Sequence, residues 1–403
     1  MRFNSLRNAG NLRGRRVVVR EDLNVPLKEG AVGDETRLIA SLETLRYLRD
    51  AGARTIVLSH LGRPDGKVDP ALSLGPVAAE LERLIESPVA FAADCVGPVA
   101  QAAVAQLGEG DIVVLENVRF HPEEEANDPK FAAQLAELGD IYVNDAFGTA
   151  HRAHASTEGI AHDLPAYAGF LMEAELSALD KLTGAPRQPF VCAIGGAKVK
   201  DKVGVFTSLL ERVAAFVIGG GMGNTFLAAS GVDVGASLRD SDLEPAKKII
   251  ALAAEKGVRL HLPIDAIVAP SFDADAEAHP VALDAIGSQM ILDIGPETAR
   301  AYAAVLRTAK TIVFNGPMGV YEKAAYRNGT RIVGEAIAEA TRAGAVSVVG
   351  GGDAAAAAHE LGFASAMSHV STGGGATLEF LEGKTLPGVA ALERAAERVG
   401  ARA

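Results

Sequence analysis

The run Phe190-Val-Cys-Ala-Ile-Gly-Gly-Ala-Lys-Val-Lys-Asp-Lys202 decides how this chain is read. Its β-like apolar residues, 190–194, break at paired glycines, and the pattern beyond predicts a helix carrying three lysines. Lys198 and Lys202 are four apart, so on a helix they share a face, where like charges repel by roughly 0.2–0.5 kcal/mol. Cations are also disfavoured at a helix N-terminus. An anion reverses both terms, because free N–H groups, helix dipole and ammonium groups together hold phosphate. The competing reading is a solvated, lysine-rich first turn.

The same strand-then-helix rhythm extends in both directions. Strands are expected at 17–19, 55–58, 112–115 and 141–143, then at 190–194, 215–218, 264–268, 311–314, 346–349 and 368–370. Helical spacing falls between them, as at 36–50, where Leu38, Leu42, Leu45 and Leu48 line one side. That alternation predicts an α/β protein with parallel sheets covered on both faces. Two doubly wound, Rossmann-like domains fit better than one very large sheet. The expected boundaries are 1–167 for the first domain, a connecting helix at 168–184, 185–386 for the second, and a terminal helical segment at 387–403.

A length of 403 residues is enough for about two to three domains. Hydrophobic residues make up 48% and charged residues 22%, a globular composition throughout. The net charge of −12 argues against nucleic acid and anionic membrane surfaces as partners. Cys95 and Cys192 lie far apart with no metal-ligand spacing, as in a reducing cytosol. The basic N-terminus lacks the apolar core of a secretory signal, and no run reaches the eighteen or so apolar residues of a membrane span. A cytoplasmic location is expected.

The two halves carry different chemistry. Glycine loops crowd the second: Gly195-Gly196, Gly219-Gly-Gly221, Gly350-Gly-Gly352 before Asp353, and Gly373-Gly-Gly375. None completes a G-x-G-x-x-G fingerprint, and Gly383-Lys384-Thr385 lacks the first glycine of a phosphate-binding loop. Asp353 reads either as a helix N-cap or as an acid acting through Mg²⁺ beside phosphates. Glu322 reads equally as a surface acid. In the first half, Asp22 and Asn24 follow the first strand with Arg37 downstream, and His60 and Arg63 follow the second. Arg119 and Arg152 follow later strands. A lone loop arginine is usually solvated; four at strand ends suggest one anion site, since arginine grips phosphate and carboxylate bidentately. His60, His151 and His154 have no zinc-type spacing.

Eight stretches, in order, resemble the phosphoglycerate kinase family, as found in bacteria. They are Val19-Arg-Glu-Asp-Leu-Asn-Val-Pro26, Ser59-His-Leu-Gly-Arg-Pro64, Leu115-Glu-Asn-Val-Arg-Phe-His-Pro122 and Asp145-Ala-Phe-Gly-Thr-Ala-His-Arg-Ala-His154. Further on come Gly195-Gly-Ala-Lys-Val-Lys-Asp-Lys202, Phe314-Asn-Gly-Pro-Met-Gly-Val-Tyr-Glu322, Gly350-Gly-Gly-Asp353 and Ser371-Thr-Gly-Gly-Gly375. The resemblance implies reversible phosphoryl transfer from 1,3-bisphosphoglycerate to ADP, giving 3-phosphoglycerate and Mg-ATP. It makes the first domain the triose lobe, with Asp22, Leu23, Asn24, Arg37, His60, Leu61, Gly62, Arg63, Arg119 and Arg152 as the triose site. It makes the second the nucleotide lobe, with Lys202, Gly295, Glu322, Gly350, Gly351, Gly352 and Asp353, the last near Mg²⁺. It further implies a hinge at the connecting helix, lobe closure, a tail packed on the first lobe, and a monomer.

The chemistry implied needs no general base, because the acceptor is a carboxylate already ionised at neutral pH. It needs positioning and positive charge on the transferring group. By the resemblance, Arg37 and Lys202 supply these, assisted by Lys198 and the N–H groups near Gly374. Four departures stand out: Glu21 for an apolar residue, Leu23 for phenylalanine, Gly223-Asn224 for a small–aromatic pair, and Ala354 for a hydroxyl residue. Two other readings compete. A non-catalytic nucleotide-binding regulator predicts loss of Arg37, Lys202, Glu322 or Asp353, all of which are present. A dinucleotide-dependent dehydrogenase leaves the arginines unexplained.

Overall fold

Runs of Val, Ile and Leu bounded by turn residues form parallel strands buried on both faces, as such sequences must when helices cover each side. The computed structural model describes residues 3–400. The chain forms two compact units, one made of residues up to Leu176 together with the segment from Thr385 onward, the other of Ser177–Lys384. The division falls inside the helix Phe170–Thr183.

In the first unit, β1 (Arg16–Arg20), β2 (Arg54–Leu58), β3 (Val89–Ala92), β4 (Ile112–Leu115), β5 (Ile141–Asn144) and β6 (Ala166–Ala168) form one sheet ordered β3-β4-β2-β1-β5-β6. Every pairing is parallel. The helix Thr36–Asp50 buries Leu38, Leu45 and Leu48 completely in the same cluster as Val17, Val19 and Val57. Each such side chain contributes about 1.5–3 kcal/mol by leaving water. The terminal helix Pro387–Gly400 packs on β6, and the Gly388 N–H donates to Ala150 O at 2.9 Å.

In the second unit, β7 (Phe190–Ile194), β8 (Ala215–Ile218), β9 (Arg259–His261), β13 (Thr311–Asn315), β14 (Val346–Val349) and β15 (His369–Val370) form a parallel sheet ordered β9-β8-β7-β13-β14-β15. This is the doubly wound dinucleotide-fold order, with its switch point between β7 and β13. Tyr302 and Leu306 of helix Pro296–Thr308 join Val333 and Ile337 of helix Asn328–Arg342 over Phe314 to make its core.

Two expectations are corrected. The strand expected at 264–268 does not join the parallel sheet: as β10 (Asp265–Ala269) it lies between β11 (His279–Ala282) and β12 (Met290–Ile294), antiparallel to both. An apolar run of five residues states only that it is buried, not in which direction its neighbours run. Nor do the three lysines ride one helix. Lys198 lies in an exposed loop, Lys200–Lys202 form a single 3₁₀ turn, and the α-helix begins at Val203. The shared face on which Lys198 and Lys202 would repel is therefore never formed.

Candidate active site

Four neighbouring strands of the first sheet, β4, β2, β1 and β5, end on one edge, and the loops leaving them bring the first half's polar residues together. A cavity of about 200 Å³ there is lined by Asp22, Asn24, Arg37, His60, Gly62, Arg63, Arg119, Thr149, His151 and Arg152 among others. Arg37 donates to Asp22 Oδ1 at 2.8 Å and to Asn24 O at 3.2 Å. Asn24 Oδ1 accepts the Gly62 N–H at 2.9 Å, and Arg119 donates to Gly62 O at 2.8 Å. The 3₁₀ turn Val118–Phe120 positions Arg119, which also pairs with Glu125 at 3.0 Å. Asn24 and Arg119 are thus both tied to the loop that β2 supplies, and Arg37 to the loop that follows β1.

Burial, reinforced by the surrounding guanidinium groups, disfavours the charged form of two histidines at this edge. Burial, then the Arg20, Arg119 and Arg37 guanidinium groups, hold His60 well below the ordinary imidazole value. Burial and Arg119 bring His154 down to about 3. His60 is therefore neutral at working pH, and its Nδ1 lies 3.3 Å from an Arg20 nitrogen that can only donate. The proton of His60 accordingly sits on Nε2. Arg20 is itself buried, donating to Ser156 Oγ at 2.8 Å, and Ser156 donates in turn to Glu124.

Leu23 and Leu61 do not line the cavity; their side chains are core, at 0% and 2% exposure. Leu23 contributes its backbone N–H to Ser59 Oγ at 2.9 Å.

The second unit holds a larger, mostly apolar cavity of about 780 Å³. Gly196, Gly220, Asn224, Leu238, Pro263, Met290, Tyr321, Glu322 and Asp353 are among its walls. The antiparallel sheet forms one side through Ala266 and residues 290–294. At the switch point, Lys202 Nζ donates to Gly195 O at 2.9 Å and Asn315 O at 2.7 Å, the last carbonyls of this crevice. Burial lowers its ammonium to about 8. Gly195 is required there because a Cβ would lie 1.9 Å from Pro317 O.

Other expected nucleotide residues lie differently. Gly350, Gly351 and Gly352 connect β14 to helix Gly352–Glu360, outside the cavity lining, and Asn315 Nδ2 donates to Gly350 O at 2.6 Å. Asp353 is in that helix's first turn and does not cap it, which removes the capping alternative. Gly374 precedes helix Gly375–Leu381, and neither it nor Lys198 lines the cavity. Gly295 is also absent from the lining; a Cβ on it would meet the Asp265 carboxylate at 2.2 Å. Asp265 instead accepts the Glu297 and Thr298 N–H groups at 3.0 and 2.8 Å, capping helix Pro296–Thr308 from the neighbouring strand.

Sequence reasoning gave no role to Asn315, Thr149 and Tyr321, and met Asn224 only as a departure from the family pattern. Asn315 carried a usable signal, since it closes a strand at the point where the sheet reverses. The others are recognisable only once loops distant in sequence are adjacent.

A cationic pocket sized for a small polyanion, together with a larger, mostly apolar cavity and a half-buried lysine at the switch point, defines a phosphotransferase with two doubly wound units. Residues 6–384 match the family model described as phosphoglycerate kinase. The phosphoglycerate kinase of Moorella thermoacetica is 56% identical over 383 residues, covering 94% of this chain and 97% of that one. The structure of phosphoglycerate kinase from Coxiella burnetii superposes with a TM-score of 0.89 at 41% identity, covering 98% of this chain and all of that one. That from Pyrococcus horikoshii gives 0.82 at 33% identity over 98% of this chain. The chain belongs to the phosphoglycerate kinase family.

Proposed function

We propose that the arginine pocket of the first unit holds the phosphate and carboxyl end of the triose, and that the cavity of the second holds the nucleotide. The reaction itself is that of the family: reversible phosphoryl transfer from 1,3-bisphosphoglycerate to ADP, giving 3-phosphoglycerate and ATP in glycolysis. The observation that carries the site assignment is the convergence of Arg37, Arg63, Arg119 and Arg152 on one small cavity in a chain of net charge −12. Asp22 holds Arg37, Gly62 holds Arg119, and neutral His60 adds an Nε2–H donor, so the anion meets donors already in place.

In the second unit, Lys202 is the cation for nucleotide phosphates, with Glu322 toward the ribose. Lys198 and the N–H groups near Gly374 assist, and glycines 350–352 form the adjoining loop. Asp353 fits Mg²⁺, whose hard character suits a carboxylate supplemented by phosphate oxygens. Mg²⁺ would neutralise phosphate charge there. In the ATP-consuming direction the substrate carboxylate is its own nucleophile, so no general base is required. Arg37 stabilises the transferring group. The same reading makes the enzyme a cytoplasmic monomer with small-molecule partners only. Among the described residues, no helix is long and apolar enough to cross a membrane.

Calorimetry separates the two sites. Arg119→Ala is expected to weaken 3-phosphoglycerate binding at least tenfold and leave ADP binding unchanged. Equal weakening of both, or of neither, contradicts the assignment.

A further inference from the structure

We propose that Asp94, Cys95 and His121 form a site for one borderline-soft divalent cation of the zinc type, outside the arginine pocket. Their donor atoms, an oxygen, a sulfur and an imidazole nitrogen, all lie within 4.8 Å of one another. Asp94 Oδ1 and His121 Nε2 are already 2.9 Å apart. Zinc bonds of about 2.0–2.3 Å set tetrahedral donors somewhat under 4 Å apart, so an inward shift of roughly an ångström completes the set.

The sequence spacing hides this site because strand pairing makes it. Asp94 and Cys95 lie just beyond β3, His121 closes the 3₁₀ turn Val118–Phe120 that follows β4, and these strands pair with Ala92 opposite Leu115. Asp94 and His121 are thus neighbours although 27 positions apart.

The donor side chains are also constrained by their surroundings. The Cys95 N–H donates to Asp94 Oδ1 at 2.7 Å, and the His121 ring packs 5.1 Å from that of Phe131. Cys95 is fully buried, while His121 and Asp94 keep 30% and 39% of their side-chain exposure. Two of the three donors are thus reached by solvent, which can supply a fourth ligand.

A thiolate and a carboxylate offset a divalent ion. Burial, then the Asp94 and Glu124 carboxylates, hold the empty site's Cys95 thiol well above its ordinary value, so the cation must displace that proton. Sulfur and imidazole select zinc, cobalt or copper over magnesium, so the nucleotide's own cation does not compete. On binding, the thiol proton passes to solvent and His121 coordinates as neutral imidazole. The competing description is an Asp–His hydrogen bond above an inert thiol.

Cobalt(II) distinguishes the two, because thiolate coordination produces a near-ultraviolet charge-transfer band. Chelator-treated full-length protein titrated with Co²⁺ is expected to develop that band to about one equivalent per chain, and Zn²⁺ to abolish it. The band should vanish in Cys95→Ser and His121→Asn and persist in Cys192→Ser, whose sulfur is buried in the other unit. No band in the wild type at millimolar Co²⁺, or one that survives Cys95→Ser, overturns the proposal. The wild-type titration decides even if a variant fails to fold.

Discussion

Glu21 is fully buried, and neither of its carboxylate oxygens has a partner. Burial, followed by the nearby Asp145, raises its carboxyl well above the ordinary 4.5. A carboxyl that binds its proton more tightly when folded loses stability as pH rises from its unfolded value toward its folded one. Glu21→Leu, similar in volume, should therefore stabilise the protein by about 1–3 kcal/mol, the cost of an unsatisfied buried polar group. The gain should widen from pH 4.5 upward in guanidinium unfolding; a destabilised variant would reveal a partner this account lacks. Lys202 titrates with the opposite consequence. Its folded value of about 8 lies below the ordinary 10.5, so the free enzyme loses this cation above about pH 8. The kcat/KM for ADP should fall there, while kcat holds to higher pH because bound phosphates retain the proton. A kcat/KM flat to pH 9.5 would remove Lys202's charge from nucleotide capture.

The N-terminus of helix Pro296–Thr308 gives one glycine two competing roles. Asp293-Ile-Gly-Pro296 matches the family, and the match placed Gly295 at the nucleotide. In the fold, Gly295 leaves space for the Asp265 carboxylate that caps this helix. Gly295→Ala should therefore overpack the site and cost about 1–3 kcal/mol of stability. Unchanged stability with weakened ADP binding would return Gly295 to the ligand. What was legible in the sequence was whatever periodicity or strand-end chemistry records: the Leu38, Leu42, Leu45 and Leu48 stripe, the central strands, and the arginines that follow them. Of the four edge strands, only the one expected at 368–370 was legible. In β3, Val89–Ala92, the middle two residues are exposed, and β9 contains Arg259 and His261, so neither reads as a buried run. The antiparallel β10–β12 sheet was also invisible, because strand direction depends on partners remote in sequence. The lysine helix failed because propensity does not register the turn that lets Lys202 reach the Gly195 and Asn315 carbonyls.

Across the whole molecule, sheet order assigns the chemistry. In each unit the proposed binding residues occupy the carboxyl ends of the central strands, and in the second the half-buried Lys202 lies at the switch point between β7 and β13. The proposed division of the two ligands between separately cored units predicts that a residue of one pocket can be removed without disturbing binding in the other. Arg37 is the sharpest case, held by Asp22 in the triose pocket yet assigned to the transferring phosphoryl group. The most direct test is steady-state ATP formation from ADP and freshly generated 1,3-bisphosphoglycerate, with and without Mg²⁺, for the wild type and Arg37→Ala. The account predicts Mg²⁺-dependent turnover that Arg37→Ala lowers by about 10²–10³-fold, as for other lost transition-state donors, with ATP affinity nearly unchanged. No wild-type turnover despite binding of ADP and 3-phosphoglycerate, or near-normal turnover by Arg37→Ala, would contradict it.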